Sequence, residues 1–290
     1  MLDRNIKIAI LSGKGGTGKT LLAVNLATVS GNCDYLDCDV EEPNGFLFFK
    51  PKNVSEEVVT VKIPNVDQGL CDGCRICVND CRYNALFYIN HKLKILPEMC
   101  HSCGVCSYVC PQNAISEQDK AIGKIVKGEK GDINVITGML NVKEHTGIPI
   151  IKKMFVNNKA SDRLSFIDCA PGSSCMAMEC IKEADYCIIV SEPTLFGAAN
   201  LEMVYELVQI FEKPCGVIIN KNTDCENDTE KYCANNKINI ISRIAFDHDL
   251  GKLNSKGLIV AEINDKYHQM FDKILKDVLR EIDDETITCS

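Results

Sequence analysis

Short apolar runs alternate with segments of helical periodicity along most of the chain. The apolar runs cover residues 6–11, 33–39, 164–167, 186–190 and 217–219, and helical spacing is clear over Lys19–Ser30 and residues 200–211. Buried apolar strands that alternate with helices are typical of a parallel sheet covered by helices on both faces. The pattern therefore predicts an α/β fold.

A cysteine-rich segment interrupts this pattern between about residues 60 and 117. It holds eight of the 18 cysteines of the chain, and apolar strands precede and follow it. We therefore predict one domain made of residues 1–60 and 118–290, and a second, inserted domain of residues 61–117. A separate domain in series is not expected, because removing the insert leaves a chain length suited to one large domain.

The insert contains an internal repeat with an offset of 29 residues. The first half contains Cys71, Cys74, Cys77 and Cys81, and the second half contains Cys100, Cys103, Cys106 and Cys110. Each half reads C-x₂-C-x₂-C-x₃-C and is followed by an Asn-Ala-aliphatic tail. This run is the signature of bacterial ferredoxins with two [4Fe–4S] clusters, in which the fourth cysteine of each run binds the other cluster.

The spacing thus assigns Cys71, Cys74, Cys77 and Cys110 to one cluster and Cys100, Cys103, Cys106 and Cys81 to the other. Zinc is the competing interpretation, but zinc sites use separated C-x₂₋₄-C pairs. One departure from the signature is Arg82 after Cys81, where proline is usual; it affects the local turn and leaves the ligands intact. Two adjacent clusters favour an electron relay over a purely structural role.

The length and composition of the chain indicate its cellular compartment and the classes of partner to expect. The chain has 290 residues, a formal charge of -8 and no tryptophan. It is long enough to bury a core without disulfides, and its first residues do not resemble a signal peptide. No apolar run reaches the length that spans a bilayer. We therefore expect a cytoplasmic protein with reduced thiols, no membrane attachment and no nucleic-acid partner.

The other ten cysteines are interpreted mostly as small buried apolar residues, as expected for Cys38, Cys169 and Cys187. Cys175 is interpreted as a free thiol, with a bridging or transient metal ligand as the alternative.

A glycine-rich loop follows the first predicted strand and opens the first predicted helix. Its residues are Gly13, Lys14, Gly15, Gly16, Thr17, Gly18, Lys19 and Thr20, which fit G-x-x-x-x-G-K-[ST] in the required context. Backbone N–H groups of such a loop surround phosphate oxygens at a helix N-terminus. We predict that Lys19 contacts the β- and γ-phosphates and that the Thr20 hydroxyl binds Mg²⁺.

The run KGGTGKT resembles the deviant Walker A motif of the MinD/ParA ATPases, a family that includes nitrogenase iron protein. The resemblance implies that Lys14 crosses a dimer interface to the phosphates of the partner. Asp37-Cys38-Asp39 resembles the switch I segment of the family, in which Asp39 would orient the attacking water. Asp168, in Asp-Cys-Ala-Pro-Gly, resembles the Walker B aspartate that holds Mg²⁺. Asn220, in Asn-Lys, is a candidate for adenine recognition.

The combined pattern resembles MinD-superfamily ATPases with an inserted ferredoxin domain. It implies a P-loop NTPase fold plus a small α+β ferredoxin-like domain, with ATP, Mg²⁺ and two [4Fe–4S] clusters as cofactors. The implied enzyme is an ATPase that dimerises on ATP binding. Our leading hypothesis is electron transfer or metallocentre assembly with an unidentified partner.

Two alternatives stay open. One is an ATP-dependent positioning or scaffold switch with structural clusters. Membrane-bound switches of that kind end in a basic amphipathic helix, whereas the amphipathic segment 261–282 is followed by acidic residues. The other is a ferredoxin whose ATPase domain only assembles its own clusters.

Overall fold

A computed structural model of the chain describes residues 6–159, 162–223 and 227–288. The strands are β1 Lys7–Leu11, β2 Cys33–Asp37, β3 Lys52–Val66, β4 Leu86–Ile89, β5 Lys92–Ile95, β6 Ile115–Lys130, β7 Ile133–Leu140, β8 Leu164–Asp168, β9 Tyr186–Ser191, β10 Cys215–Asn222 and β11 Ile240–Ala245. The helices are α1 Lys19–Ser30, α2 Gly45–Phe49, α3 Ile76–Asn79, α4 Val105–Tyr108, α5 Ile148–Asn158, α6 Cys175–Glu183, α7 Leu195–Ile210, α8 Asp228–Asn235, α9 His248–Asn254, α10 Val260–Ile263 and α11 Asp265–Thr288.

In the described part of the chain, nine strands form one sheet in the order β11-β10-β9-β1-β8-β2-β7-β6-β3. Every pairing from β11 to β7 is parallel, which confirms the prediction of a mainly parallel sheet. The five predicted apolar runs form β1, β2, β8, β9 and β10. These central strands are mostly apolar because helices cover the sheet on both sides.

Strand β1 shows how each strand serves two cores. Ile8 and Ile10 pack into one core with α1, α9, α10 and α11, while Ala9 and Leu11 pack into the other with α5, α6, α7 and α8. This alternation follows from the two-residue period of a strand. The two cores fix β1, and with it the loop that follows, from both sides.

The far end of the sheet is antiparallel. Strand β6 pairs with β7 between Gly123 and Lys130, and with β3 along almost its whole length. The eight residues 115–122 of β6 therefore continue beyond the end of β7, paired only with β3. At about 3.4 Å per residue this ribbon extends roughly 27 Å past the carboxyl edge of the sheet. Both strands run continuously across the domain boundaries proposed at 60/61 and 117/118.

The ribbon carries the cysteine unit, residues 67–114, at its outer end. The unit consists of the short helices α3 and α4 and the antiparallel pair β4–β5. Its small core contains Cys77, Leu86 and Leu93, together with Ile115 from the ribbon. The ribbon leaves the sheet at the edge formed by the carboxyl ends of the parallel strands. The cysteine unit therefore lies beyond the same edge as the loop after β1.

The C-terminal amphipathic segment differs from its prediction. The structure divides it into α10 and α11, with Asn264 between them in an extended conformation. The side chain of Asn25 in α1 accepts a hydrogen bond from the N–H of Ala261 at 2.9 Å. This buried contact fixes α10 against α1.

Candidate functional site

The glycine-rich loop lies between the carboxyl end of β1 and the start of α1, as predicted. Gly16 and Gly18 have φ angles of +79° and +99°, a region that side chains disfavour. A Cβ atom on Gly18 would lie 2.1 Å from Nδ2 of Asn220. Nothing lies within 4 Å of the Cβ position of Gly15 or Gly16, so this part of the loop is open.

Lys19 connects the loop to two carboxylates at neighbouring strand ends. Its Nζ donates to Oδ1 of Asp168 at 2.9 Å and lies 3.9 Å from Oδ2 of Asp39. Burial lowers the pKa of Lys19, but Asp168 and Asp39 outweigh that effect, so its pKa is raised. The lysine is therefore charged and held by the carboxylates.

Asp168 is held by a residue that sequence reasoning missed. The Tyr35 hydroxyl donates to Oδ2 of Asp168 at 2.9 Å, and both residues are buried. Burial and Asp168 raise the pKa of Tyr35, so the hydroxyl keeps its proton. No local signal marks Tyr35, because the contact depends on β2 and β8 being neighbours.

Asp37 and Asp39 differ in environment. Asp37 is fully buried, and its Oδ2 accepts hydrogen bonds from the N–H groups of Asn44 and Gly45 at 2.9 and 2.7 Å. Burial raises the pKa of Asp37 well above its usual range. Burial also raises the pKa of Asp39 to about 6, although Lys19 opposes the shift. Asp37 thus stabilises the backbone at Asn44 and Gly45, while Asp39 lies near the amine of Lys19.

The donor set suits a nucleotide with Mg²⁺. Two carboxylates, those of Asp168 and Asp39, lie within 4 Å of the Lys19 amine, and oxygen ligands are what Mg²⁺ prefers. The hydroxyl of Thr17 is buried without a hydrogen-bond partner among the described residues, and it lies in the loop. Thr20 lies in the first turn of α1 and is half-buried. The residues present therefore fit a phosphate and a divalent cation.

Asn220 and its neighbour Lys221 brace the loop from its other side. Asn220 donates to the carbonyl of Thr17 at 2.7 Å, and Lys221 Nζ donates to the carbonyl of Gly16 at 2.9 Å. The Asn220 Oδ1 atom accepts from the N–H of Lys221. The side-chain amide of Asn220 is thus engaged with the loop. Adenine recognition by Asn220 stays a prediction.

Lys14 points away from the loop, toward the end of β9. Its Nζ lies 2.5 Å from Oε2 of Glu192, and Lys221 Nζ lies 2.6 Å from Oε1 of the same carboxylate. Hydrogen bonds from both lysines lower the pKa of Glu192, although burial opposes them. Glu192 thus pairs with two lysines that lie at the loop.

The eight cysteines of the insert line two cavities. Cys71, Cys74, Cys77 and Cys110 line a cavity with an empty volume of about 340 Å³, including space open to solvent. Cys81, Cys100, Cys103 and Cys106 line another of about 390 Å³, measured in the same way. Each cavity thus combines three cysteines of one half with the last cysteine of the other half.

The backbone repeats in step with the sequence. Asn84 and Asn113 both have positive φ angles, of 52° and 49°. The following residues, Ala85 and Ala114, donate their N–H groups to the sulfurs of Cys81 and Cys110, each at 3.3 Å. Asparagine tolerates this conformation better than most residues, which explains the repeated Asn-Ala pair. Hydrogen bonds to sulfur are a means of tuning a bound cluster.

The thiols around each cavity do not form a compact site for one ion. Within the described ranges, no group of three or more His, Cys, Asp or Glu side chains is placed to hold a single metal ion. Burial, together with the neighbouring Cys110 and Cys74, raises the pKa of Cys77 to about 11. Four thiolates at one cavity therefore require positive charge between them.

The remaining predicted thiols divide by burial. Cys38, Cys169 and Cys187 are fully buried, which confirms their prediction as core residues. Cys175 is exposed at the start of α6. A metal role for Cys175 stays a prediction.

A loop after β1 that can bind phosphate, with carboxylates at the ends of β2 and β8, defines a P-loop nucleotide-binding protein. A family model, the CobQ/CobB/MinD/ParA nucleotide binding domain, matches residues 8–260. The chain belongs to this family. MinD/ParA members of the family are ATPases, and this chain is an ATP-hydrolysing enzyme.

Two relatives come from Methanocaldococcus jannaschii. The uncharacterized protein MJ0578 is 30% identical over 274 residues, covering 93% of this chain and 95% of the relative. The uncharacterized protein MJ0579 is 28% identical over 221 residues, covering 74% and 79%.

Solved structures support the fold. The cell division ATPase MinD of Pyrococcus furiosus has a TM-score of 0.59 at 15% identity, covering 95% of this chain and 99% of MinD. MinD of Pyrococcus horikoshii, solved with Mg-ADP, has a TM-score of 0.57 at 15% identity, covering 94% and 95%. Among the described residues, no helix is both long enough and apolar enough to cross a membrane.

Proposed function

We propose that this chain is an ATP-dependent dimeric switch. The observation that carries the proposal is Lys19, held between Asp168 and Asp39 at the mouth of an open glycine-rich loop. The phosphates of ATP would take over Lys19, while Asp168 and Thr20 would hold Mg²⁺. Asp39 would then be free to orient the attacking water. Mg-ADP in the Pyrococcus horikoshii MinD structure supports this choice of ligand.

The dimer rests on the deviant Walker A resemblance, in which Lys14 reaches the nucleotide of the partner. Lys14 is 39% exposed, and its Nζ pairs with Glu192 of the same chain. The family also supplies precedents for ligands and partners. Cyanothece McdA was solved as an ATP complex, and Aquifex aeolicus MinD was solved as a complex with MinC.

We further propose that the cysteine unit, which we interpret as an inserted ferredoxin-like domain, holds two [4Fe–4S] clusters. Support comes from the two four-thiol cavities, their crossed cysteine sets and the matched N–H···S contacts. Such clusters supply one-electron transfer. Cys81, Cys100, Cys103 and Cys106 would hold the cluster nearer the sheet, because Cys100 lines a pocket together with residues 144–146 of the loop after β7.

A series of contacts connects residues 37–43, which we call the switch segment, to the cavity lined by Cys81, Cys100, Cys103 and Cys106. Val40 accepts a hydrogen bond from the N–H of Leu140 at 2.8 Å, and a Cβ on Gly147 would lie 2.2 Å from the Val40 side chain. Between those two points, Glu144 pairs with Lys120 of the ribbon at 2.9 Å. Lys120 also donates to the carbonyl of Pro97, three residues before Cys100. A change at Val40 therefore has a physical route to the cysteine unit.

Two uses of this switch remain as candidates. The structural neighbours include cell-division and septum-site-determining proteins, and they favour a positioning or scaffold switch with structural clusters. The cysteine cavities and their contacts to the switch segment are the observations that favour electron transfer or metallocentre assembly.

The test is anaerobic purification with measurement of iron, sulfide and EPR spectra, with ADP and with a non-hydrolysable ATP analogue. Electron transfer predicts about eight irons per chain and a reduction potential that differs between the two nucleotides. A positioning switch predicts the same iron content, nucleotide-dependent dimers and an unchanged potential. Absence of iron after reconstitution would contradict the cluster proposal, and absence of a dimer with the ATP analogue would contradict the switch.

A further inference from the structure

Glu192, at the end of β9, pairs with two lysines, one that would leave it on dimerisation and one that would stay. Its carboxylate pairs with Lys14 through Oε2 and with Lys221 through Oε1. The Glu192 side chain is only 12% exposed, whereas Lys14 is 39% exposed. Lys14 is thus an exposed partner of a largely buried carboxylate.

The proposed dimer requires this ion pair to break. Lys14 cannot reach the phosphates of a partner subunit while its Nζ lies on Glu192 of its own subunit. A buried carboxylate that loses its counter-ion is strongly disfavoured. Here Lys221 remains on Glu192, and its contact with the Gly16 carbonyl keeps it in place.

We propose that Glu192 is a latch that holds Lys14 inside its own subunit until ATP and a second copy of this chain compete for it. Lys221 sets how easily the latch opens, because it neutralises Glu192 after Lys14 leaves. Both are positioning residues that act through Lys14. The inference rests on the proposed ATP-dependent dimer and adds to it a cause for the monomeric state without nucleotide.

The first test is the dimer dissociation constant with a non-hydrolysable ATP analogue, measured by sedimentation velocity. Glu192→Gln should lower it about tenfold, or about 1.4 kcal/mol shared by the two latches of a dimer. Glu179→Gln is the matched control, because Glu179 is 15% exposed and also has two lysine neighbours, at 2.8 and 3.9 Å. It should leave the constant unchanged.

Lys221→Met should act in the opposite direction. Without Lys221, Lys14 is the remaining lysine on Glu192 and leaves it less easily, so the dimer dissociation constant should rise several-fold. The affinity of the monomer for the nucleotide is measured separately, because this variant also loses the contact with Gly16. A rise that is fully explained by weaker nucleotide binding, or a tighter dimer, would contradict the role of Lys221.

A second readout does not depend on the dimer. Acylation of Lys14 by an amine-reactive ester, followed by peptide mass spectrometry, should be several-fold faster in nucleotide-free Glu192→Gln than in the wild type. Equal labelling rates, or an unchanged dimer constant in a folded Glu192→Gln variant, would overturn the latch. If instead Lys14→Met dimerises as well as the wild type, the proposed function fails, and the labelling rate still tests the latch.

Discussion

Replacing Tyr35 by phenylalanine should destabilise the nucleotide-free protein by about 2 kcal/mol. The Tyr35 hydroxyl donates to Asp168 at 2.9 Å in a buried site. Phenylalanine keeps the ring, which packs against Phe49 at a centroid distance of 4.9 Å. The change therefore removes a hydrogen bond to a charged group, worth about 1.5–3 kcal/mol. Lys19 remains on the other oxygen of Asp168, which places the cost near the middle of that range.

Tyr267→Phe is the matched control. The Tyr267 hydroxyl donates to Asp247 at 3.0 Å, but Asp247 is 23% exposed, so water can replace the hydroxyl. Its cost should be at most about 1 kcal/mol. Urea unfolding followed by far-UV circular dichroism is suitable, because the chain contains no tryptophan. If Tyr35→Phe costs no more than Tyr267→Phe, the reasoning about a buried, ionised Asp168 is refuted.

Three further predictions concern the cavities, the loop and acid stability. Cys110→Ser and Cys81→Ser should each impair a different cluster, with Cys110→Ser affecting the cluster bound by the first cysteine run. EPR of the anaerobic variants checks this. If each substitution instead impaired the cluster bound by its own cysteine run, crossed ligation would be contradicted. Gly18→Ala should abolish nucleotide binding, since its Cβ would lie 2.1 Å from a side-chain amide. Gly31→Ala, with a φ of +75° and open space around it, should cost about 1–3 kcal/mol of stability and leave binding intact; titration with a fluorescent nucleotide measures both. Hydrogen bonds from a lysine and from helix N–H groups hold the pKa of Asp247 well below its usual range, so its charge contributes stability above about pH 4 that is lost as pH falls; unfolding curves of Asp247→Asn and the wild type should differ at neutral pH and converge in acid.

The central strands could be predicted from the sequence because burial on both faces makes them mostly apolar. The outer strands β3 and β6 carry many exposed polar residues and leave no such signal. Their antiparallel pairing joins Lys52 to Glu129 across the whole cysteine unit. Local periodicity cannot specify a pairing of that sequence separation. The two cysteine runs therefore mark the cysteine unit in the sequence, whereas no local signal marks the ribbon that carries it.

The candidate site shows the same division. The phosphate loop is a contiguous motif, and its place between β1 and α1 followed from the sequence. The contacts of Tyr35 with Asp168 and of Glu192 with Lys14 join residues far apart in the chain. These contacts form because β2 lies beside β8 and β9 lies beside β1. Strand order decides them, and strand order is a property of the whole sheet.

The cysteine unit lies at the same edge of the sheet as the glycine-rich loop. The unit lies in the connection between β2, which ends at Asp37, and the parallel strand β7. Because β6 runs antiparallel to β7, its extension must leave the sheet at the carboxyl edge, where the phosphate loop lies. The contact between Gly147 and Val40 has no space for even a methyl group. If the switch segment moves as the proposed function requires, the tight contact between Val40 and Gly147 would pass that movement to the loop that bears Glu144, and so to its ion pair with the ribbon.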